Sequence, residues 1–332
     1  MSAQGVWAGL TDSAFLAGVD DSERDGPRLA TTVLGGVTLG LVAAVCGLLL
    51  VLVAYALLIG EGRRGLAGLG QVARAVSDPQ AIGPGLTVLR LVLATAVDGV
   101  FLVVFVAFAA LMIKRPFLVY VTVAPRVRWR LLLAAMALSA AVMAPLVIVE
   151  RQLALGGAAA PLLGVSPLFG NRVAYVLSSL LLLPAAAAEE LFFRGWLLRQ
   201  TSAYLRRPLI LIGLTSLTFS ALHFDFSPDA FLTRTLMGAG LAYMTLRLGG
   251  IEFSAGVHAV NNMLIVLFLQ PLGFQQTNGA GISAFSLLED GALLGGYVLI
   301  TEFVARSAHL RRLTGVRVDE LSRSRNISAH VS

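Results

Sequence analysis

The chain has 332 residues, 57% of them hydrophobic and only 13% charged, and its mean hydropathy is +0.82, far from the balance of a soluble domain. Lipid is the expected solvent, which makes the expected fold class all-α, a polytopic transmembrane helical bundle. The net charge of +6 comes without any DNA- or RNA-binding motif and is explained by membrane topology, so no nucleic acid partner is expected.

About eight apolar stretches of roughly span length are predicted, at 31–59, 86–113, 131–149, 172–198, 208–223, 231–248, 253–270 and 284–305. Before them, residues 1–30 form a polar segment whose acids, Asp12, Asp20, Asp21, Glu23 and Asp25, do not fit a cleaved signal peptide. Residues 31–305 are read as one transmembrane helical domain, and 306–332 as a basic tail, mobile or lying near anionic headgroups. Gly60 to Gly85 and Gly156 to Pro167 read as Gly/Pro/Ala-rich connections. The single cysteine, Cys46, can form no intramolecular disulfide.

Arginines set the orientation. Lys114, Arg115, Arg126, Arg128 and Arg130 fall in one connection, Arg199, Arg206 and Arg207 in another, and six more in the tail, whereas 224–230 and 271–283 hold no Lys or Arg. Both termini are therefore expected in the cytoplasm of a plasma-membrane protein, with Arg63, Arg64 and Arg74 dissenting. Trp129 and Trp196 are expected as anchors near inner span ends. Lys114 is the only lysine, a bias read as GC-rich bacterial coding.

Ionisable groups inside spans are costly, at least about 2.5–3.5 kcal/mol each near the bilayer centre, and here they cluster in the second half. The fourth span contains Glu189, Glu190 and Arg194 after four alanines, 185 to 188; the fifth ends Phe219 to His223; the seventh contains His258, Asn261 and Asn262. Glu190 and Arg194, four residues apart, share a helix face and can pair, while Glu189 is turned about 100° from them. His258 and Asn262 have the same four-residue spacing and project together, with Asn261 expected to face elsewhere. Phe219, one turn before His223, can fix the imidazole, and the alanines allow a second helix close beside the carboxylates.

Two chemistries are open to these groups. A buried carboxylate beside a histidine can take a proton from water while amide or imidazole donors hold the oxyanion. Alternatively Glu189, His223 and His258 supply the two histidines and one carboxylate of an open catalytic zinc site. At about 1.5 Å per residue, the predicted span ends put Glu189 roughly 14 Å, His223 roughly 22 Å and His258 roughly 8 Å from the inner face, so convergence requires tilted, broken or shifted helices.

The ordered set Glu-Glu-x-x-x-Arg, Phe-x-x-x-His and His-x-x-x-Asn on successive spans resembles the CPBP family of intramembrane proteases, which includes the endopeptidases of prenylated CAAX proteins. The resemblance covers about 172–270 and rests on Glu189, Glu190, Arg194, Phe219, His223, His258 and Asn262. It implies that Glu189 and His223 activate water, that Glu190 and Arg194 support them, and that His258 and Asn262 hold the oxyanion. The cofactor is then either none or a divalent, zinc-like metal, since the family is commonly labelled metalloprotease while a metal-free glutamate mechanism competes. The implied partners are the lipid bilayer and a membrane-anchored protein or peptide substrate, approached from the cytosolic side or laterally. An idle immunity or scaffold protein of the same fold, or a proton- or ion-coupled transporter, is the alternative. Oligomeric state has no sequence signal.

The remaining intrusions, Arg90 and Asp98, Arg234, and Glu289, Asp290 and Glu302, are read first as structural. Asp225, just beyond His223, is close enough in sequence to orient it, although a loop carboxylate at a helix end is usually solvated, and His309 and His330 receive no role.

Overall fold

A computed structural model describes residues 10–19, 21–60, 65–78, 84–154, 162, 169–269, 281–282, 284–318 and 321. Helix α1, Gly26–Leu58, begins where Asp25 accepts from the Arg28 amide at 3.3 Å, with Pro27 in the first turn where a missing N–H costs nothing. Helix α2 is Leu66–Ser77. Helix α3 runs as Pro84–Ala94, a π-helical turn Thr95–Gly99, and Val100–Ile113. Helix α4 is Trp129–Ala154 and α5 is Phe169–Ser179. Helix α6 is Leu182–Glu190, continued by a π-helical segment Leu191–Leu197 and by Leu198–Ser202. Helices α7, Pro208–Ala221, and α8, Pro228–Leu248, both start on proline. Helix α9 is Glu252–Leu264 with a π-helical end, Ile265–Leu269. Helices α10, Ala284–Arg306, and α11, Ala308–Thr314, follow.

Every predicted span falls on helix, although 172–198 is divided between α5 and α6 by a break at 180–181. Five stretches are long and apolar enough to cross a membrane alone: Gly26–Leu58, Val88–Ile113, Trp129–Val149, Tyr175–Ser202 and Glu252–Leu269. Helix α7 is apolar but shorter, while α8 carries Asp229, Arg234 and Arg247 and α10 carries Glu289, Asp290 and Glu302. The protein is an all-α, multi-pass membrane bundle. Helix α1 packs on α3, α4 on α9, and α8 on both α7 and α10, with α9 also against α6. Gly256 makes the α4–α9 approach possible, because a Cβ there would lie 2.6 Å from the Leu132 carbonyl oxygen.

One end of the bundle is closed by protein. The Ser13 hydroxyl donates to Leu246 O at 2.5 Å, Gln200 Nε2 to Glu23 O at 2.6 Å, Arg24 Nε to Ala203 O at 2.7 Å, and Arg199 to Phe15 O. The N-terminal segment is therefore more than a polar appendage, for Phe15 is fully buried. Residues 121–123 pair with the α8–α9 turn through Ile251 N to Val121 O (2.8 Å) and Val123 N to Gly249 O (2.9 Å). Beneath this cover Arg128 grips Glu252 at 2.8 and 3.0 Å, both side chains buried.

Several expectations are corrected. The connection from Gly60 to Gly85 holds the amphipathic helix α2, which buries Val72, and Arg90 caps its end by donating to Val76 O and Asp78 O at 3.2 and 2.6 Å. Gly156 to Pro167 lies outside the described residues apart from Leu162. Trp196 is core and not an interfacial anchor: it packs edge-on to Phe105 at 4.7 Å. Trp129 is exposed. The tail begins packed, with Thr314, Val316 and Leu321 buried; His330 lies outside the described residues. Glu302 is structural as read, held by Tyr243 and Arg247 at 2.7 Å and Arg306 at 2.5 Å.

Candidate active site

The alanines before Glu189 bring α6 against α9 and against the π turn of α3, where a Cβ added at Gly99 would meet that of Ala188 at 3.7 Å. Helix α6 then widens into its π-helical segment directly after Glu190, and α9 does the same after Leu264. Such segments are rare and concentrate where a helix must re-aim its side chains.

The pair expected from spacing is present. Arg194 Nη1 donates to Glu190 Oε1 at 2.9 Å, with Glu190 fully buried and Arg194 2% exposed. Arg194 also donates to Gly238 O at 3.2 Å on α8 and lies 4.4 Å from the centre of the Phe219 ring. Glu190 meets a second partner, His258 Nδ1, at 3.0 Å. Glu189 stands on the other side of the same imidazole, its Oε2 3.8 Å from His258 Nε2, and this oxygen has no hydrogen-bond partner.

His223 follows the end of α7. Its Nδ1 lies 2.8 Å from Phe219 O, and the Phe219 ring stands 4.7 Å from the imidazole. A carbonyl only accepts, so Nδ1 carries the proton and Nε2 is left as the acceptor. Asp225 does not orient this ring; it pairs with Arg234 at 3.0 Å and accepts from Ser227 at 2.8 Å. Asn261 Nδ2 donates to Asn262 Oδ1 at 3.2 Å, which occupies the Asn262 oxygen and leaves its NH₂ for another acceptor. Asn261, expected to face elsewhere, therefore belongs to the same constellation. A four-residue spacing rule does not detect such a sequence neighbour.

Glu189, Phe219, His223, His258, Asn261 and Asn262 all line one cavity of about 610 Å³ between α4, α6, α7, α8, α9 and α10, within the range of ligand sites. The depth mismatch of the sequence reading thus disappears. Its physical reason is the α8–α9 turn, which is buried under residues 121–123 and does not mark the membrane face. Asp98 is exposed on the π turn of α3.

Among the described residues no three His, Cys, Asp or Glu side chains are placed as a metal-binding cluster, while the commitment of each histidine's Nδ1, to Glu190 and to Phe219 O, leaves both Nε2 atoms for a ligand or water. No step below is derived through a metal.

Fold and site together define a polytopic membrane protein with a polar, ligand-sized cavity inside its helices. Residues 170–264 match the family described as Type II CAAX prenyl endopeptidase Rce1-like, a match that supports membership of the CPBP family of intramembrane proteases. It is similar to the uncharacterised protein YyaK of Bacillus subtilis, 35% identical over 102 residues, 28% of this chain and 33% of that protein. The match thus spans about a third of the curated relative's length. No solved structure matches the chain significantly.

Proposed function

We propose that the protein is an intramembrane endopeptidase that hydrolyses peptide bonds of membrane-associated substrates with water activated by Glu189. The observation that carries this reading is the unpartnered Glu189 oxygen on the cavity wall, 3.8 Å from His258 Nε2 and sharing that wall with His223 and Asn262.

Water held between Glu189 and His223 Nε2 gives its proton to Glu189 as its oxygen bonds to the scissile carbonyl carbon. The oxyanion forms against the Asn262 NH₂ and, when His258 is an imidazolium, against its Nε2–H. Glu189 returns the proton to the leaving nitrogen as the C–N bond breaks, so the products are one carboxylate and one amine. Glu190 and Arg194 position His258 and do not meet the substrate.

The cavity lies in the half of the bundle next to the α7–α8 turn, away from the end closed by the N-terminal segment and the arginine-rich connections. With those connections in the cytoplasm, substrate enters from the outer half of the membrane or laterally, and not from the cytosolic face.

The test is cleavage of a membrane-peptide library by purified protein, comparing wild type with Glu189→Gln, each with and without chelator. Cleavage by wild type, unaffected by chelator and abolished in the folded variant, supports the reading. Loss of cleavage on chelation overturns the metal-free step, and equal cleavage by the variant overturns the site.

A further inference from the structure

The reaction uses the α6, α7 and α9 side of the cavity, and the α8–α10 side is differently built. It presents Asp229, Glu289 and Asp290, with Asp290 only 5% exposed. The Asp290 carboxylate is fixed by the Thr233 hydroxyl, which donates to its Oδ2 at 2.9 Å. The arginine on this wall, Arg234, is drawn away to Asp225 at 3.0 Å. Beside these acids stands Tyr297, 2% exposed, whose shielded hydroxyl has no hydrogen-bond partner; an oxygen of Asp229 is equally shielded and unpartnered.

Buried polar groups are normally satisfied, so an orphaned hydroxyl and a half-orphaned carboxylate on the acidic wall of one cavity describe a site whose partner arrives from outside. The partner must donate hydrogen bonds and carry positive charge. Among the described residues no three acidic, histidine or cysteine side chains are placed to hold a metal ion, which favours a larger cation with several N–H donors. An ammonium or guanidinium group meets these demands, and a charge-assisted bond to a carboxylate is about twice as strong as a neutral one.

We infer that Asp290, Tyr297 and Asp229 form a specificity subsite for a basic side chain, arginine or lysine, of the peptide substrate. The inference rests on the endopeptidase reading but is tested separately from it. Full-length Glu189→Gln protein in zwitterionic lipid nanodiscs is titrated with fluorescein-labelled Leu/Ala-rich transmembrane peptides carrying one Arg, or Gln in its place, at successive positions. At one position or two adjacent ones the Arg peptide binds about tenfold more tightly than its Gln counterpart. That preference falls below about threefold when Tyr297→Phe or Asp290→Asn is added. Tyr297→Phe removes a single oxygen, so it carries the test if Asp290→Asn does not fold. The subsite is overturned if no position prefers Arg, or if the preference survives the added substitutions. Wild-type protein given the same peptides separates the two readings: cleavage without charge preference removes the subsite alone, and charge-selective binding without cleavage removes the endopeptidase alone.

Discussion

His258 is held between two adjacent carboxylates, its Nδ1 3.0 Å from Glu190 and its Nε2 3.8 Å from Glu189. Consecutive residues point about 100° apart on a helix, so one imidazole divides them into a buried partner, already paired with Arg194, and a carboxylate that faces the cavity.

That division predicts opposite phenotypes for two like substitutions. Glu190→Gln leaves Arg194 charged and buried with its ion pair gone, which costs about 3–5 kcal/mol and lowers the thermal unfolding midpoint sharply. Glu189→Gln changes stability by less than about 1 kcal/mol and abolishes cleavage. Thermal unfolding of both variants in one detergent checks this; equal destabilisation would falsify the assignment.

Asn261 Nδ2 donates to Asn262 Oδ1 at 3.2 Å. Under the proposed mechanism, replacing Asn262 with Ala removes an oxyanion donor and is expected to lower kcat by about 10²–10³. Asn261→Ala only frees the Asn262 amide to rotate, so it lowers kcat by about tenfold with KM little changed. Steady-state kinetics on one cleavable peptide tells these apart, and a larger effect at Asn261 than at Asn262 reverses the roles.

The Arg128–Glu252 pair sets where α9 begins, and hence where His258 sits. Breaking it with Glu252→Gln costs about 3–5 kcal/mol, whereas the double replacement Arg128→Met with Glu252→Met recovers most of that loss. A double-mutant cycle on the unfolding midpoint measures the coupling, and additive losses would show that the pair is not coupled.

Asp225, in the turn after α7, is a small pH probe of the cavity mouth. Burial, which raises its pKa, is outweighed by hydrogen bonds from Ser227 and Arg234, so its carboxyl stays below the ordinary value. Because the folded pKa is depressed, the stabilisation, under about 1 kcal/mol, is present above about pH 4 and lost as the pH falls through the folded value. The unfolding midpoints of wild type and Asp225→Asn should differ at neutral pH and converge in acid; a gap that widens in acid contradicts the sign.

Hydropathy and helical periodicity were enough to reveal the all-α bundle, the Glu190–Arg194 pair and the joint projection of His258 and Asn262, because each depends on local pattern. What it missed depends on neighbours far along the chain. The buried α8–α9 turn is covered by residues 121–123, so reckoning depth from hydropathy misplaced His258. Trp196 looked like an interfacial anchor until Phe105 and Phe192 were seen to enclose it. The π-helical segments after Glu190 and Leu264 change which residues share a face, and no residue type announces them.

The most direct measurement is the cleavage rate of Glu189→Gln relative to wild type, on a single peptide and with protein shown to be folded by its unfolding midpoint. If Glu189 is the base, the rate falls by at least about 10²-fold with substrate binding retained. A folded variant that cleaves at the wild-type rate would mean that the water is activated elsewhere.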